Sequence, residues 1–209
     1  MALMQTIVVL ASGNGSNFQA ISDAIKSGEV DAKIVLLISD RRDAYVLQRA
    51  TAEGIPSKTF HHDRSNPELF FRKIRQEIES ANPDLIVLAG FNRILPYWVI
   101  DGYRAINLHP ALLPLFGGKG FYGMKVHEAV IKSGARFSGC TVHFVTEEVD
   151  GGPIIVQRMV DVLDDDTPES LAERIHREEH IAIISAMKIV LSGKYRIDGK
   201  RVRYSQIQP

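Results

Sequence analysis

The chain has 209 residues, and 25 Lys and Arg are balanced by 25 Asp and Glu, so its formal net charge is zero. Apolar residues make up 45% and charged residues 24% of it, a mixture typical of folded globular proteins, which excludes an intrinsically disordered chain. The balanced charge does not favour nucleic acid or an acidic membrane as a partner, and no apolar stretch approaches the roughly 20 residues that span a bilayer.

The single cysteine, Cys140, has no second cysteine in the chain with which to form a disulfide. It also leaves no thiolate cluster for zinc. We therefore expect a reducing, cytoplasmic location.

Strand and helix patterns alternate through the first half of the chain. A continuous apolar run at residues 6–11 precedes a Gly/Asn/Ser turn and a helical pattern over 16–26. The alternation continues with strands at 34–38, 57–60, 84–89 and 105–108 and helices at 45–53 and 68–81. This order predicts an α/β fold with a Rossmann-like, mostly parallel sheet flanked by helices, and ligands bind such sheets beyond the carboxyl ends of the strands.

The turn Gly13-Asn14-Gly15-Ser16-Asn17 joins the first strand to the first helix. Its glycines permit a tight turn, and the helix N-terminus presents amide N–H groups, an arrangement that suits a phosphate. The turn is not a P-loop, because no Gly-Lys-Ser/Thr follows, and it is not a dinucleotide fingerprint, because Phe18 stands where the third glycine would fall. A plain turn with a helix cap is the alternative.

Asn107 and His109 stand two residues apart at the end of a predicted strand, so their side chains share one face. Pro110 favours extended backbone at His109. A carboxamide beside an imidazole is suited to binding an oxyanion and moving a proton, and the alternative is a histidine hydrogen-bonded in a strand-end loop. The glycine-rich segment 110–125 that follows is either a mobile cover or a flexible crossover.

The second half of the chain has a different pattern. After a helix at 125–133, the segments 137–145 and 154–162 are longer and partly alternating, which predicts antiparallel or edge strands. Thr167 and Pro168 supply a capping hydroxyl and a first-turn proline for a long helix, and Asp198-Gly199 predicts a terminal hairpin.

Asp150 lies between the two long strands and is followed by Gly151-Gly152-Pro153, which suits a sharply bent loop. A carboxylate held there could pair with His109 and raise the pKa of the imidazole, favouring the imidazolium near neutral pH. An acidic surface turn is the alternative.

Glu179 interrupts an apolar stripe of the last helix formed by Leu171, Ile175, Ala182 and Ala186. A carboxylate in a core-facing stripe is costly unless it is paired or used, so Glu179 is a candidate site residue. We see no metal-ligand pattern among the seven histidines and expect no metal site.

Together these residues resemble the glycinamide ribonucleotide formyltransferase family, the folate-dependent enzymes of purine biosynthesis. The resemblance is carried by residues 8–17, 87–95, 107–114 and 142–153, in the family's order and spacing. It implies transfer of the formyl group of 10-formyltetrahydrofolate to the amine of glycinamide ribonucleotide, with no metal. It also implies a single domain, with a nucleotide phosphate-binding half at 1–104 and a catalytic and folate-binding half at 105–209.

The resemblance assigns roles to particular residues. The catalytic roles fall on Asn107, His109 and Asp150, where negative charge on the formyl oxygen would be stabilised. The nucleotide-binding roles fall on Gly15, Ser16, Asn17 and Glu179. The folate-binding roles fall on Arg64, Asn92, Arg93, Ile94, Leu95, Asn107, Thr146, Val149 and Asp150. Two departures from the family are Ala111, where a serine is usual, and the segment 115–123, where Lys119 could supply charge.

We expect small-molecule partners, no nucleic acid, no membrane, and a monomer or homodimer. Methionyl-tRNA formyltransferases and formyltetrahydrofolate hydrolases are alternatives of the same fold. They usually carry an added C-terminal nucleic-acid-binding domain and an added N-terminal regulatory domain, respectively, for which we expect no room here. A non-catalytic nucleotide-binding protein is the alternative of another class, and the incomplete glycine fingerprint disfavours a dinucleotide-dependent oxidoreductase.

Overall fold

The computed structural model describes residues 4–62 and 65–204, and the chain divides into two compact units, residues 1–106 and 107–209. In the described part of the first unit, parallel strands alternate with helices. The elements are β1 (Gln5–Leu10), α1 (Ser16–Lys26), β2 (Ala32–Ser39), α2 (Tyr45–Ala52), β3 (Ser57–Thr59), α3 (Pro67–Ala81) and β4 (Leu85–Leu88), followed by a 3-10 turn at Tyr97–Val99. The strand order is β3-β2-β1-β4.

The central strands of the first unit are apolar because both of their faces are covered. All four residues of β4 and the last four of β1 are buried. Continuous apolar runs of this kind are expected in parallel sheets with helices on both faces. The turns that follow β1 and β4 carry the predicted phosphate-binding and folate-binding residues.

The strand β5 (Ala105–His109) begins in the first unit and ends in the second. The second unit continues with α4 (Met124–Ser133), β6 (Phe137–Phe144), β7 (Ile154–Asp161), α5 (Pro168–Ser192), β8 (Tyr195–Asp198) and β9 (Arg201–Tyr204). β6 pairs with β7 and β8 with β9 in antiparallel register, and β7 meets β9 in parallel at Ile154 and Arg201. The long helix α5 packs on β6, β7 and α4.

The helix α5 begins where its sequence predicts. The Thr167 hydroxyl accepts the Ser170 N–H at 3.2 Å, the Ser170 hydroxyl accepts the Thr167 N–H at 3.0 Å, and Pro168 is the first helical residue. Two backbone donors at the helix start are thereby satisfied.

The predicted fold class is confirmed, including the antiparallel strands of the second half and the terminal hairpin, whose Gly199 has a φ of 59°. Element ends differ from the prediction by at most two residues. The 3-10 turn at Tyr97–Val99 was not predicted, because three residues carry no periodic pattern. The prediction of a single domain with halves meeting at residue 104 stays a prediction. In the described parts of the chain no helix has the length and apolar character needed to cross a membrane.

Candidate active site

The second unit brings Asn107, His109 and Asp150 together. Asn107 and His109 lie on β5, and Asp150 lies in the turn that joins β6 to β7. One Asp150 oxygen, Oδ2, is 3.6 Å from His109 Nδ1, and the other, Oδ1, accepts from Asn107 Nδ2 at 3.4 Å. The side chains of His109 and Asp150 are only 5% and 12% exposed. We call these three residues the catalytic cluster.

The glycine-rich segment after β5 holds Asp150 in place. Gly118 donates its N–H to Asp150 Oδ2 at 2.9 Å. A Cβ at Gly117 would lie 3.4 Å from Asp150 Cβ and 2.4 Å from Leu113 Cδ2, so a side chain there would displace its neighbours. Asp150 itself has a φ of 54°, a left-handed conformation that costs a non-glycine residue about 1 kcal/mol or more. The surrounding hydrogen bonds therefore fix the carboxylate, and movement of this segment stays a prediction.

His109 is held by a backbone carbonyl. Its Nε2 is 2.8 Å from the Phe116 oxygen, and because a carbonyl oxygen only accepts, Nε2 carries a hydrogen. Burial lowers the pKa of His109 below 6.5, although the charge of Asp150 and the bond to Phe116 act to raise it. Asp150 therefore acts on the pKa of His109 in the predicted direction, but burial outweighs it and the net shift is downward, which favours the neutral ring. The sequence does not reveal how completely the ring is buried, and an imidazolium in the reaction stays a prediction.

Asp150 is ionised at neutral pH. Burial alone would raise the pKa of this carboxyl group, but the neighbouring rings of His143 and His109 and the Gly118 N–H outweigh it and lower the pKa below 3.8. The cluster thus combines an imidazole N–H donor, a carboxamide donor and a carboxylate base.

His143 is a member of this group that the sequence analysis missed. It lies near the end of β6, is 2% exposed, and places Nε2 3.2 Å from Asn107 Nδ2 and 3.6 Å from Asp150 Oδ1. Its Nδ1 is 2.9 Å from the Phe144 oxygen. The available sequence signal was a histidine inside an otherwise buried strand.

Glu179 occupies the buried stripe of α5, as its position in the sequence predicts, and is 5% exposed. Its charge acts to raise the pKa of His109, so the carboxylate lies within electrostatic reach of the catalytic cluster. Burial raises the pKa of the Cys140 thiol to about 12, with a further contribution from Glu179. A contact between Glu179 and a nucleotide stays a prediction.

In the first unit, the phosphate-binding candidates Gly15, Ser16 and Asn17 form the start of α1. Gly15 has a φ of 78°, and a Cβ there would lie 2.4 Å from Val46 Cγ2, so only glycine fits. The helix begins at Ser16, and the N–H groups of a first helical turn have no partner within the helix.

The turn that precedes α1 is also held from α2. Arg49 donates from Nε to the Asn14 carbonyl oxygen and from Nη2 to Asn14 Oδ1, each at 2.9 Å. The guanidinium therefore fixes the turn from outside the helix start. Phosphate binding itself stays a prediction.

The folate-binding candidates Asn92, Arg93, Ile94 and Leu95 follow β4. Asn92 donates its N–H to Ser12 Oγ at 2.8 Å, and Arg93 Nε donates to the buried Asp40 carboxylate at 2.8 Å. The Arg93 guanidinium is thus engaged within the protein. Ile94 is half exposed, whereas Leu95 is buried.

The remaining folate-binding candidates lie elsewhere in the chain. Thr146 and Val149 belong to the same turn as Asp150, where the Thr146 hydroxyl donates to the Glu148 oxygen at 3.3 Å and Val149 is 40% exposed. Arg64 lies outside the described residues.

His176 and His180 stand four residues apart on α5, a spacing that the sequence analysis overlooked and that can place two metal ligands on one helix face. Over residues 4–62 and 65–204, however, no group of three His, Cys, Asp or Glu side chains is arranged to hold a metal ion. The expectation of a metal-free site stays a prediction.

Comparison with known proteins identifies relatives that match most of the chain. Residues 5–187 match the formyl transferase family. Phosphoribosylglycinamide formyltransferase of Escherichia coli is 39% identical over 94% of this chain and 95% of its own length, and the chloroplastic enzyme of that name from Arabidopsis thaliana is 39% identical over 92% and 68%. The crystal structure of glycinamide ribonucleotide transformylase 1 from Symbiobacterium toebii superposes with a TM-score of 0.90 at 36% identity, covering 99% of this chain and 96% of that one.

Proposed function

The chain belongs to the formyl transferase family, and we propose that it transfers the formyl group of 10-formyltetrahydrofolate to the amine of glycinamide ribonucleotide in purine biosynthesis. The observation that carries the proposal is the catalytic cluster, in which a carboxylate contacts both a carboxamide and an imidazole. These are the groups that an acyl transfer between two nitrogens requires.

Asn107 and His109 stabilise the charge that develops on the formyl oxygen. The donors are the Asn107 Nδ2–H that points to Asp150 Oδ1 and the His109 Nε2–H that points to the Phe116 oxygen, and the formyl oxygen replaces both of these acceptors. Each well-placed donor of this kind lowers the activation barrier by on the order of 3 kcal/mol. A neutral imidazole serves this role, as a hydrogen-bond donor does not need to be charged.

Asp150 acts as the base. The substrate amine attacks the formyl carbon and forms a new C–N bond, and the proton that this nitrogen loses passes to the ionised Asp150 or, assisted by it, to His109 Nδ1, directly or through water. The bond between the formyl carbon and N10 of the folate then breaks, and N10 takes up that proton. The substrate amine is the nucleophile, so no covalent enzyme intermediate forms.

We assign substrate binding to the remaining candidates. The start of α1, with Gly15, Ser16 and Asn17, binds the nucleotide phosphate at the positive end of the helix, and Glu179 accepts from the ribose hydroxyls. Asn92, Arg93, Ile94 and Leu95, with Thr146 and Val149 of the Asp150 turn, bind the folate. The exposed apolar side chains of Ile94 and Val149 support this assignment.

We further propose that the protein acts on small molecules in the cytoplasm as a monomer or homodimer, without a metal, nucleic acid or membrane. The zero net charge and the buried, unpaired thiol of Cys140 support this proposal. A protein without a structural disulfide loses no stabilising bond under reducing conditions.

The test is a formyl-transfer assay with purified protein, glycinamide ribonucleotide and 10-formyltetrahydrofolate, with a chelator present. We expect formylated nucleotide to form in equal amount to the tetrahydrofolate released. A second reaction omits the nucleotide. Release of formate there at the same rate, with no formylated product in the first reaction, would overturn the proposal in favour of a hydrolase.

A further inference from the structure

We propose that His143 is a positioning residue that fixes the orientation of the Asn107 carboxamide. The inference rests on the proposed function, because it concerns the donor that faces the formyl oxygen. It assigns a role to a buried histidine that is not one of the three catalytic candidates.

His143 reaches the catalytic cluster from the buried end of β6. Its Nε2 lies 3.2 Å from Asn107 Nδ2 and 3.6 Å from Asp150 Oδ1, and its neighbours Val142 and Phe144 are also buried. Opposite His143 the register with β7 shifts by one residue, and the extra residue is on β7. The ring is therefore held between the strand that carries Asn107 and the turn that carries Asp150.

The backbone fixes the tautomer of His143. The Phe144 oxygen, 2.9 Å from Nδ1, can only accept, so Nδ1 carries the hydrogen and Nε2 of the neutral ring is an acceptor. Gly152 permits this arrangement, because a Cβ there would lie 1.8 Å from the same Phe144 oxygen. The ring is thus presented to Asn107 with a lone pair and not with a hydrogen.

That lone pair determines which end of the carboxamide faces it. Asn107 Nδ2, at 3.2 Å, donates one hydrogen to His143 Nε2 and directs the other toward Asp150 Oδ1 at 3.4 Å. The flipped amide would set its oxygen against an imidazole lone pair and a carboxylate. His143 and Asp150 together therefore keep the amide donor, and not the amide oxygen, on the side where the reaction places negative charge.

Two substitutions test the acceptor at Nε2 separately from the donor at Nδ1. His143→Asn keeps a donor near the position of Nδ1 and loses the acceptor at Nε2, whereas His143→Gln places an amide oxygen near the position of Nε2. We expect kcat to fall about 10- to 30-fold in His143→Asn, with the KM of both substrates unchanged. In His143→Gln we expect rescue to within about threefold of the parent. His61→Asn, at an exposed position, is the control.

The tautomer is measured independently of activity, from the long-range ¹H–¹⁵N couplings of the His143 ring in the wild-type protein. We expect the hydrogen on Nδ1. The inference would be overturned by a hydrogen on Nε2, by an unchanged kcat in His143→Asn, or by an equal loss of kcat in both variants. If a variant fails to fold, the tautomer of the wild-type ring decides the question. Absence of formyl transfer by the wild type would instead overturn the proposed function, and the tautomer would still be read.

Discussion

Replacing Asp150 by asparagine removes one negative charge while nearly preserving the shape of the side chain. Asp150 Oδ2 lies 3.6 Å from His109 Nδ1, and at an effective dielectric constant of about 20 the ion pair that forms when His109 takes up a proton is worth roughly 4–5 kcal/mol. Every 1.36 kcal/mol corresponds to a tenfold change in rate. Since the proton is only partly transferred at the barrier and both charges are delocalised, we expect kcat to fall by about 10²- to 10³-fold.

The same substitution changes the titration of His109. Burial already lowers the pKa of this ring below 6.5, and the carboxylate of Asp150 opposes that effect. Asp150→Asn removes the opposing charge, so the pKa of His109 falls further, and the imidazolium appears only at a more acidic pH than in the parent. A pH titration of the His109 ring resonances by NMR measures the shift, alongside a steady-state assay of formyl transfer.

Asp164→Asn is the matched control for this prediction. It makes the same change in charge in the same unit, at an exposed side chain that pairs only with the exposed Arg136 among its described ion pairs. Its kcat and the His109 titration are expected to match the parent. A kcat within a fewfold of the parent in Asp150→Asn, or an unchanged His109 pKa, would refute the reasoning.

Three further predictions concern binding, local fit and reactivity. Gly15→Ala forces a Cβ to within 2.4 Å of Val46 at a left-handed φ, so we expect the unfolding free energy in denaturant titrations to fall by about 2–4 kcal/mol. In the control Gly13→Ala, where a Cβ would meet nothing within 4 Å, we expect the unfolding free energy to stay within about 1 kcal/mol of the parent, and equal losses in the two variants would contradict the prediction. Glu179→Gln raises the KM for glycinamide ribonucleotide about tenfold with little change in Tm, and a lower Tm at unchanged KM would assign Glu179 a purely structural role. The Cys140 thiol, whose pKa burial raises to about 12, is not modified by iodoacetamide at pH 8 until the protein unfolds, and rapid modification of the folded protein would contradict its burial.

Local rules were sufficient to predict much of the fold. Continuous apolar runs identified β1 and β4, and the Thr167-Pro168 pair identified the start of α5. These signals act within a few residues of where they are read, so no tertiary information is needed. The ends of elements were less certain, because a terminal residue gains or loses only one hydrogen bond.

The catalytic cluster was predictable only in part. Asn107 and His109 share a face because they are two residues apart on one strand, but the distance from His109 to Asp150 depends on the turn after β6. The role of His143 arises from its contacts with Asn107, which is 36 residues away in the chain, and with Asp150 beyond the strand end, and no short-range pattern encodes these contacts. The lowered pKa of His109 follows from its burial, and burial is a property of the folded chain as a whole.

The central claim is that the catalytic cluster performs formyl transfer, and the single-turnover rate of His109→Ala tests it most directly. With both substrates saturating, chemistry is observed apart from binding and product release. We expect the rate of formylated nucleotide formation to fall at least about 10²-fold, because the variant loses an N–H donor to the formyl oxygen. A single-turnover rate equal to that of the parent would contradict the account.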